Sequence, residues 1–486
     1  MRVENDFFKK HKVGWKTMLK KEKVDVVIKN VTIFTSDAKD SSYLIKGGIA
    51  VNDGRIVAIS EDDFLPEAQK TIDGQGNLLL PGTIDTHVHL RDPGHPERET
   101  FKTGTMAAAA GGVTTILEMP VSMPPPFSPE LVEKRKKIAE PQVLVDFCLF
   151  GAAGANKMDY IEPCSKAGIV GFKTFFHQAP EEREEEFEGL TMENAGVQFK
   201  GLREVSKTGK LLAVHCENND MVQEGIKELR AKGRVDPEAH ALSRPPICET
   251  ETVSKVLLFA KETGLRVDFV HISNPEAMEL IKQGKKEGMD IYLETCPHYL
   301  FLTTEDLKKH GTYAKCNPPL REKEVRDALW EYINDGTVDF IGSDHSPFLD
   351  EEKKRGIEDI FKAPAGFPGI EQRLPLLLTA ARDGKLSLAR VVELIATNPA
   401  KIFGLYPAKG TIRVGSDADF VLVNMKEEFV VDNKTMFTHA KDIARVFNGW
   451  KLIGKPIMTM VRGKVVFENG VIPPEVIGWG KLISVK

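Results

Sequence analysis

Two histidines stand one residue apart in the stretch GTIDTHVHLR, His87 and His89, with Asp85 just ahead of them. In an extended strand successive side chains alternate faces, so the pair projects from one side and can close on a single ion. Neutral imidazole nitrogens are good ligands for zinc and similar divalent ions. An isolated H-x-H is equally compatible with a strand that merely carries two histidines, so the weight rests on whether further ligands recur downstream. Four more groups stand at the ends of apolar runs: Lys173 in GIVGFKTFFH, His215 in LLAVHCEN, His271 in VDFVHIS and Asp344 in VDFIGSDHSPF. A lysine ammonium offers donors and no lone pair to a cation, so Lys173 needs its own account. Reacted with carbon dioxide, its amine becomes a carbamate whose two oxygens can bridge two metals; a salt-bridging lysine is the plain alternative. With four histidines and one aspartate at hand, two ions sharing a lysine carbamate and a hydroxide is the more economical arrangement.

These groups need a scaffold that brings them together. The middle of the chain alternates β-rich apolar runs with helix-like segments such as Glu130 to Ala139 and Pro275 to Glu287. The strand candidates are Leu78 to Leu90, Val113 to Met119, Val143 to Ala152, Ile169 to Phe176, Leu211 to Glu217, Val267 to Ser273, Ile291 to Pro297 and Val338 to Ser343. Eight β/α repeats predict an all-parallel sheet, and eight is the number that closes into a barrel. An open doubly wound sheet is the alternative, and no phosphate-cradling glycine motif succeeds an early strand to support it. In a barrel, functional groups gather at the C-terminal ends of the strands, and all six groups fall there.

The flanks read differently. From Val24 onward, short β runs are joined by glycine turns, and Asn52-Asp53-Gly54 between two apolar runs is a hairpin signal. The same style returns at Gly410 to Met425 and at Ile457 to Gly470. The fold class is therefore α/β, a (β/α)8 TIM-like barrel with a small discontinuous β-sandwich domain built from both chain ends. The expected division is an N-terminal extension at 1–23, the sandwich at 24–78 plus 408–470, the barrel at 79–400 and a tail at 471–486.

A chain of 486 residues suits one large domain with a satellite, and 41% apolar with 28% charged residues is a globular balance. The formal net charge of -5 supplies no basic field, which argues against nucleic acid or an anionic membrane as the main partner and favours a small molecule. The six cysteines show no C-x-x-C spacing, so neither a disulfide framework nor a zinc knuckle is expected. No run approaches the roughly 18 apolar residues of a membrane span, and the opening has no signal-type apolar core, so a cytoplasmic location is expected. That opening, basic with interspersed aromatics, reads as a solvated helix, with an arm toward a membrane or partner subunit as the alternative.

In combination, HVHLRDPG, AAAAGGVTTILEMP, GFKTFF, AVHCEN, FVHISNPEAMELI, ETCPHYL, KCNPPLRE, GSDHSPF and NPAKIFGLYPAKGTIRVGSDADFVL carry a family resemblance. The chain resembles the amidohydrolase superfamily in its cyclic-amidase branch of allantoinases, hydantoinases, dihydropyrimidinases and dihydroorotases, from Val24 to about Gly470. The resemblance implies a binuclear centre, usually zinc. One ion would be held by His87, His89, carbamylated Lys173 and Asp344, the other by Lys173, His215 and His271. It implies a bridging hydroxide that opens a cyclic amide, with Asp344 passing its proton to the departing ring nitrogen, and it implies homodimers or homotetramers. A non-catalytic assembly protein of the same fold is the reading from another class, and such a chain would be expected to have lost several ligands.

Departures from each branch bear on the ring. Arg91 and Asn317 resemble dihydroorotase positions, and Arg91 would suit a substrate carboxylate, but Val121-Ser122 and Phe348 stand where that branch has further contacts. Gln178 stands five positions after the lysine, where dihydropyrimidinases and D-hydantoinases typically have a tyrosine. Allantoinase-like is the first expectation and hydantoinase-like the second. His298 in CPHYL is a further candidate for facing substrate, with a satisfied core histidine as the alternative. His177 and His345 are expected to point into the wall, and the acidic run Glu181 to Glu188 is either a solvated face or a lid that disfavours anions.

Overall fold

The computed structural model describes residues 23–35 and 44–485. The expected N-terminal extension lies outside the described residues apart from Lys23. A seven-stranded sheet is assembled from both flanks: β1 (Val24–Phe34), β2 (Leu44–Asn52), β3 (Arg55–Ser60), β4 (Ala68–Pro81), and the later strands Phe420–Asn424, Lys455–Val461 and Lys464–Glu468. The β2–β3 hairpin pairs Asn52 with Arg55 across a two-residue turn in which Asp53 and Gly54 both have positive φ, 49° and 75°. That is the backbone a right-twisted tight hairpin demands, and Asp-Gly supplies it at low steric cost. The late strand Phe420–Asn424 pairs antiparallel with β4, which stitches the two chain ends into one sheet.

The barrel is built from eight parallel strands: β5 (Thr83–Val88), β6 (Val113–Glu118), β7 (Asp146–Ala152), β8 (Gly171–Phe175), β9 (Leu211–His215), β10 (Val267–Phe269), β11 (Ile291–Thr295) and β12 (Phe340–Ile341). Their side chains are buried on both faces almost throughout, as a parallel sheet wrapped by helices requires. Closure between β5 and β12 is made by a parallel bridge from Val88 to His345 and by the Arg373 guanidinium, which donates to the carbonyls of Ile84 at 2.9 Å and Ile341 at 2.8 Å. The run Leu78 to Leu90, expected as one strand, is two. β4 ends at Pro81 in the satellite sheet, and β5 begins the barrel at Thr83. Pro81 lacks the N–H that would continue a ladder, and a Cβ at Gly82 would lie 2.2 Å from Thr114 Oγ1, so the chain changes sheets where only glycine fits.

The two bodies meet over a buried ion cluster. Lys409 Nζ lies 2.6 Å from Asp146 Oδ2 at the start of β7 and 2.7 Å from Asp419 Oδ2 in the satellite. The segment beyond 470 packs back on the barrel, with Leu482 bridging parallel to Phe147. No helix among the described residues is long and apolar enough to cross a membrane.

Candidate metal centre

Local sequence explains why the candidate ligand histidines sit where they do. His215 ends β9, and three residues later Asn218 caps the helix Asn219–Ala231 by accepting the Met221 N–H at 3.0 Å. His271 comes just after β10, and three residues later Asn274 caps Pro275–Lys286 through the Ala277 N–H at 3.0 Å. In both, the strand-to-helix turn is fixed by a short polar cap, worth about 1 kcal/mol, with the imidazole three residues ahead of it. His271 and Asp344 are held at φ of 45° and 47°, a left-handed backbone uncommon for side-chain-bearing residues. Such conformations cost on the order of 1–3 kcal/mol and cluster at functional sites.

The six expected ligands converge at the C-terminal mouth. His87, His89 and Asp344 form one group, with Asp344 Oδ1 3.6 Å from His87 Nε2 and 3.4 Å from His89 Nε2. Tetrahedral coordination at about 2.0–2.2 Å sets ligand atoms roughly 3.3–3.6 Å apart, so these spacings fit one ion. His215 Nδ1 and His271 Nε2 face each other at 3.1 Å beside it, and the His87 and His271 ring centroids are 5.2 Å apart. Lys173 is fully buried, its Nζ has no hydrogen-bond partner among the described residues, and burial lowers its pKa to about 8 against the opposing pull of Glu294 and Asp344. An orphaned amine between two imidazole pairs fits a group that is to carry a carbamate. Burial also raises the Asp344 carboxyl, opposed by His87 and Lys173, and drives His89 and His271 toward the neutral, ligating form.

The mouth opens into a cavity of about 880 Å³. Arg91 and Asn317 line it, and both carry a buried atom without a hydrogen-bond partner among the described residues, Arg91 Nη1 and Asn317 Oδ1. His298 does not line it. Its ring is packed against Tyr299 at 4.2 Å and Phe367 at 5.3 Å, and its buried Nε2 has no hydrogen-bond partner among the described residues. His177 departs from expectation the other way: it lines the cavity, edge-on to His215 at 5.1 Å. His345 is in the wall, 3.3 Å from Glu99 Oε2.

The acidic run is mostly exposed, as a solvated face would be, with Glu186 the exception among its glutamates. Glu186 turns inward with its side chain 3% exposed, pairs with Arg183 and with Arg98, and lies 4.0 Å from Arg91 Nη1. Its charge is therefore neutralised at the mouth. Sequence reasoning also passed over two carboxylates that touch the ligands, Glu294 on His87 Nδ1 at 2.7 Å and Glu217 on His215 Nε2 at 2.9 Å. Their position next to strand ends, in ETCPHYL and HCEN, was the available signal.

An L-hydantoinase of Paenarthrobacter aurescens is 36% identical over 464 residues, covering 95% of this chain and 98% of its own length. An allantoinase of Deinococcus radiodurans is 34% identical, covering 92% and 96%. The solved L-hydantoinase from Arthrobacter aurescens superposes with a TM-score of 0.89 over 95% of this chain and all of its own, at 36% identity. Residues 78–466, which hold the whole barrel and all six converging groups, match the amidohydrolase family, and the chain belongs to it.

Proposed function

We propose that the chain hydrolyses a hydantoin-type ring, the imidazolidinedione shared by allantoin and 5-substituted hydantoins, and releases the opened carbamoyl or ureido acid. The observation that carries this reading is the buried Lys173 amine, without a hydrogen-bond partner among the described residues, between His87/His89/Asp344 and His215/His271. Carbamylated Lys173 would join the two groups, with His87, His89 and Asp344 holding one divalent ion, usually zinc, and His215 and His271 the other. Bound there, the pair of ions would lower the pKa of water and polarise a ring carbonyl.

The chain's own residues supply the rest. With its carboxyl pushed up by burial, Asp344 is suited to take a proton from the attacking water and return it to the ring nitrogen as the carbon–nitrogen bond breaks. Arg91 Nη1 can donate to a ring carbonyl, and Asn317 Oδ1 can accept a ring N–H; each would end the cost of a buried polar atom left unpaired. Phe175, Phe187 and Val121 line the same cavity and exclude water around a C5 substituent. We further propose a homodimer or homotetramer in the cytoplasm, with no nucleic-acid or membrane partner. The test is ring opening of hydantoin, allantoin, dihydrouracil and dihydroorotate by zinc-loaded protein; failure to open any five-membered ring would overturn the reading.

A further inference from the structure

We infer that Glu294 and Glu217 are positioning residues that fix opposite tautomers of His87 and His215, and that their unequal surroundings make the His215/His271 ion the more weakly held. The inference rests on the two-ion reading above and concerns residues which that reading leaves without a role.

Glu294 is fully buried at the end of β11. Its Oε1 lies 2.7 Å from His87 Nδ1 and accepts the His271 main-chain N–H at 3.3 Å, while Oε2 accepts the Thr86 hydroxyl at 2.7 Å. An ionised carboxylate has only acceptor atoms, so the ring nitrogen facing it carries the proton. His87 is thereby left with Nε2 as its lone-pair atom, the one 3.6 Å from Asp344 Oδ1. The same logic runs the other way round at His215. Glu217 Oε2 faces His215 Nε2 at 2.9 Å, which leaves Nδ1 as the ligating atom, 3.1 Å from His271 Nε2. Among the described residues, the Nδ1 atoms of His89 and His271 have no hydrogen-bond partner. Each ion would therefore have one anchored and one unanchored imidazole.

The two anchors are not equal. Glu217 Oε2 also accepts from Arg244 Nη1 at 2.7 Å, so one oxygen serves both a guanidinium and an imidazole. Among the described residues, Glu294 has no lysine or arginine in ion-pair contact. A carboxylate whose charge is already drawn to a cation is a poorer acceptor, and a ligand imidazole's basicity tracks the strength of the acceptor behind it. His87 is thus the stronger donor of the two.

The test is zinc removal from the fully loaded protein by excess chelator, read with a colorimetric zinc indicator. Wild type should release two equivalents in two phases, and His271→Ala should lack the fast one. Glu217→Gln should accelerate the fast phase by about tenfold or more and leave the slow phase unchanged. Glu294→Gln should accelerate the slow phase by roughly 10–100-fold. Melting temperatures of the metal-free proteins should stay together, and Glu217→Asp should recover part of the loss. If Glu294→Gln does not accumulate as folded protein, Glu294→Asp makes the same demand on the slow phase. Two equivalents with release rates unchanged in Glu217→Gln, or loss of the slow phase in His271→Ala, overturns this inference alone. Wild type that takes up no zinc overturns it together with the two-ion reading.

Discussion

The main-chain N–H of His89 donates to the carbonyl of His345 at 2.8 Å, joining the end of the first barrel strand to the end of the last. Asp344 is the residue before that carbonyl, and its carboxylate lies 3.4 Å from the His89 imidazole. Closing the barrel and assembling the first ligand group are therefore one event. Local pattern can set each residue at its strand end but not their contact, because the two are far apart in sequence and meet only when the eighth strand docks on the first.

Arg373 should consequently matter far more to stability than a single arginine usually does. It is fully buried, donates to the carbonyls of both closing strands, bonds Thr83 Oγ1 at 3.1 Å and lies 3.7 Å from Asp85 Oδ2. Arg373→Met removes the donors and leaves a buried carboxylate unpaired, so the expected loss is about 3–5 kcal/mol. Urea denaturation of the variant checks it; a change under about 1 kcal/mol would mean that the strand pairing closes the barrel unaided.

Lys173→Ala should reduce ring opening to background while leaving the fold intact. A short carboxylic acid such as acetate or propionate should restore part of it by supplying the missing pair of oxygens. The proposed carbamate on wild-type Lys173 is checked independently by a carbon-13 signal after exposure to labelled bicarbonate. An active, metal-loaded preparation without that signal would refute the modification.

Asp344→Asn keeps an oxygen able to ligate and removes the proposed base. Bound zinc should largely remain while turnover falls roughly 10²- to 10⁴-fold, the usual range for a general acid/base group. Near-normal turnover would require another base in the cavity.

Much of this was legible beforehand because it depends on period and composition. Apolar runs ending in His215, in Asp344 or just short of His271 announce their own strand ends, and Asp53-Gly54 announces its turn. What escaped depends on contacts between distant segments. The inward turn of Glu186 requires Arg98, 88 positions earlier, to be already in place. The pairing of Glu294 with His87 spans 207 positions. The split of Leu78 to Leu90 into two strands required knowing that Gly82 would meet Thr114. Strand-end position likewise says nothing about which way the His298 ring turns once Tyr299 and Phe367 pack on it.

The arginine clamp on Glu186 predicts an acid-labile mouth. Burial alone would raise this carboxyl, but hydrogen bonds and charge from Arg183, with Arg91 and Arg98, hold it well below the ordinary carboxylate range. A depressed folded-state pKa gives stability that is fully present above the unfolded value, about 4.3, and is lost as pH falls through the folded value. Between pH 7 and 5 the melting temperatures of wild type and Glu186→Gln should therefore run parallel. Below about pH 4.3 wild type should lose stability faster, and parallel curves there would show that Glu186 contributes nothing through its charge.

Substrate choice is set by how thoroughly the cationic groups at the mouth are already engaged. A site selective for a carboxylate-bearing ring needs several converging donors, because a desolvated carboxylate left partly unpaired is costly. Arg91 gives Nη2 to the Ser346 hydroxyl at 2.6 Å, is within 3.4 Å of the Pro347 carbonyl through Nε, and stacks 4.8 Å over the Phe348 ring. Its remaining nitrogen, Nη1, already has Glu186 at 4.0 Å, and Arg183 commits Nε and Nη2 to the same carboxylate. The Ser122 hydroxyl is turned to the Pro124 carbonyl and to Arg135, away from the cavity that Val121 lines. At Arg91 a carboxylate on the ring would have to compete for one guanidinium nitrogen, whereas a ureido or alkyl substituent makes no such demand. Ring opening of allantoin or a 5-substituted hydantoin should therefore exceed that of dihydroorotate by at least about tenfold in kcat/KM, or roughly 1.4 kcal/mol of transition-state binding. All three rings should be compared on one zinc-loaded preparation. Dihydroorotate emerging as the best substrate would mean that Arg91 releases Ser346 to hold it, and Ser346→Ala would then improve dihydroorotate turnover rather than leave it unchanged.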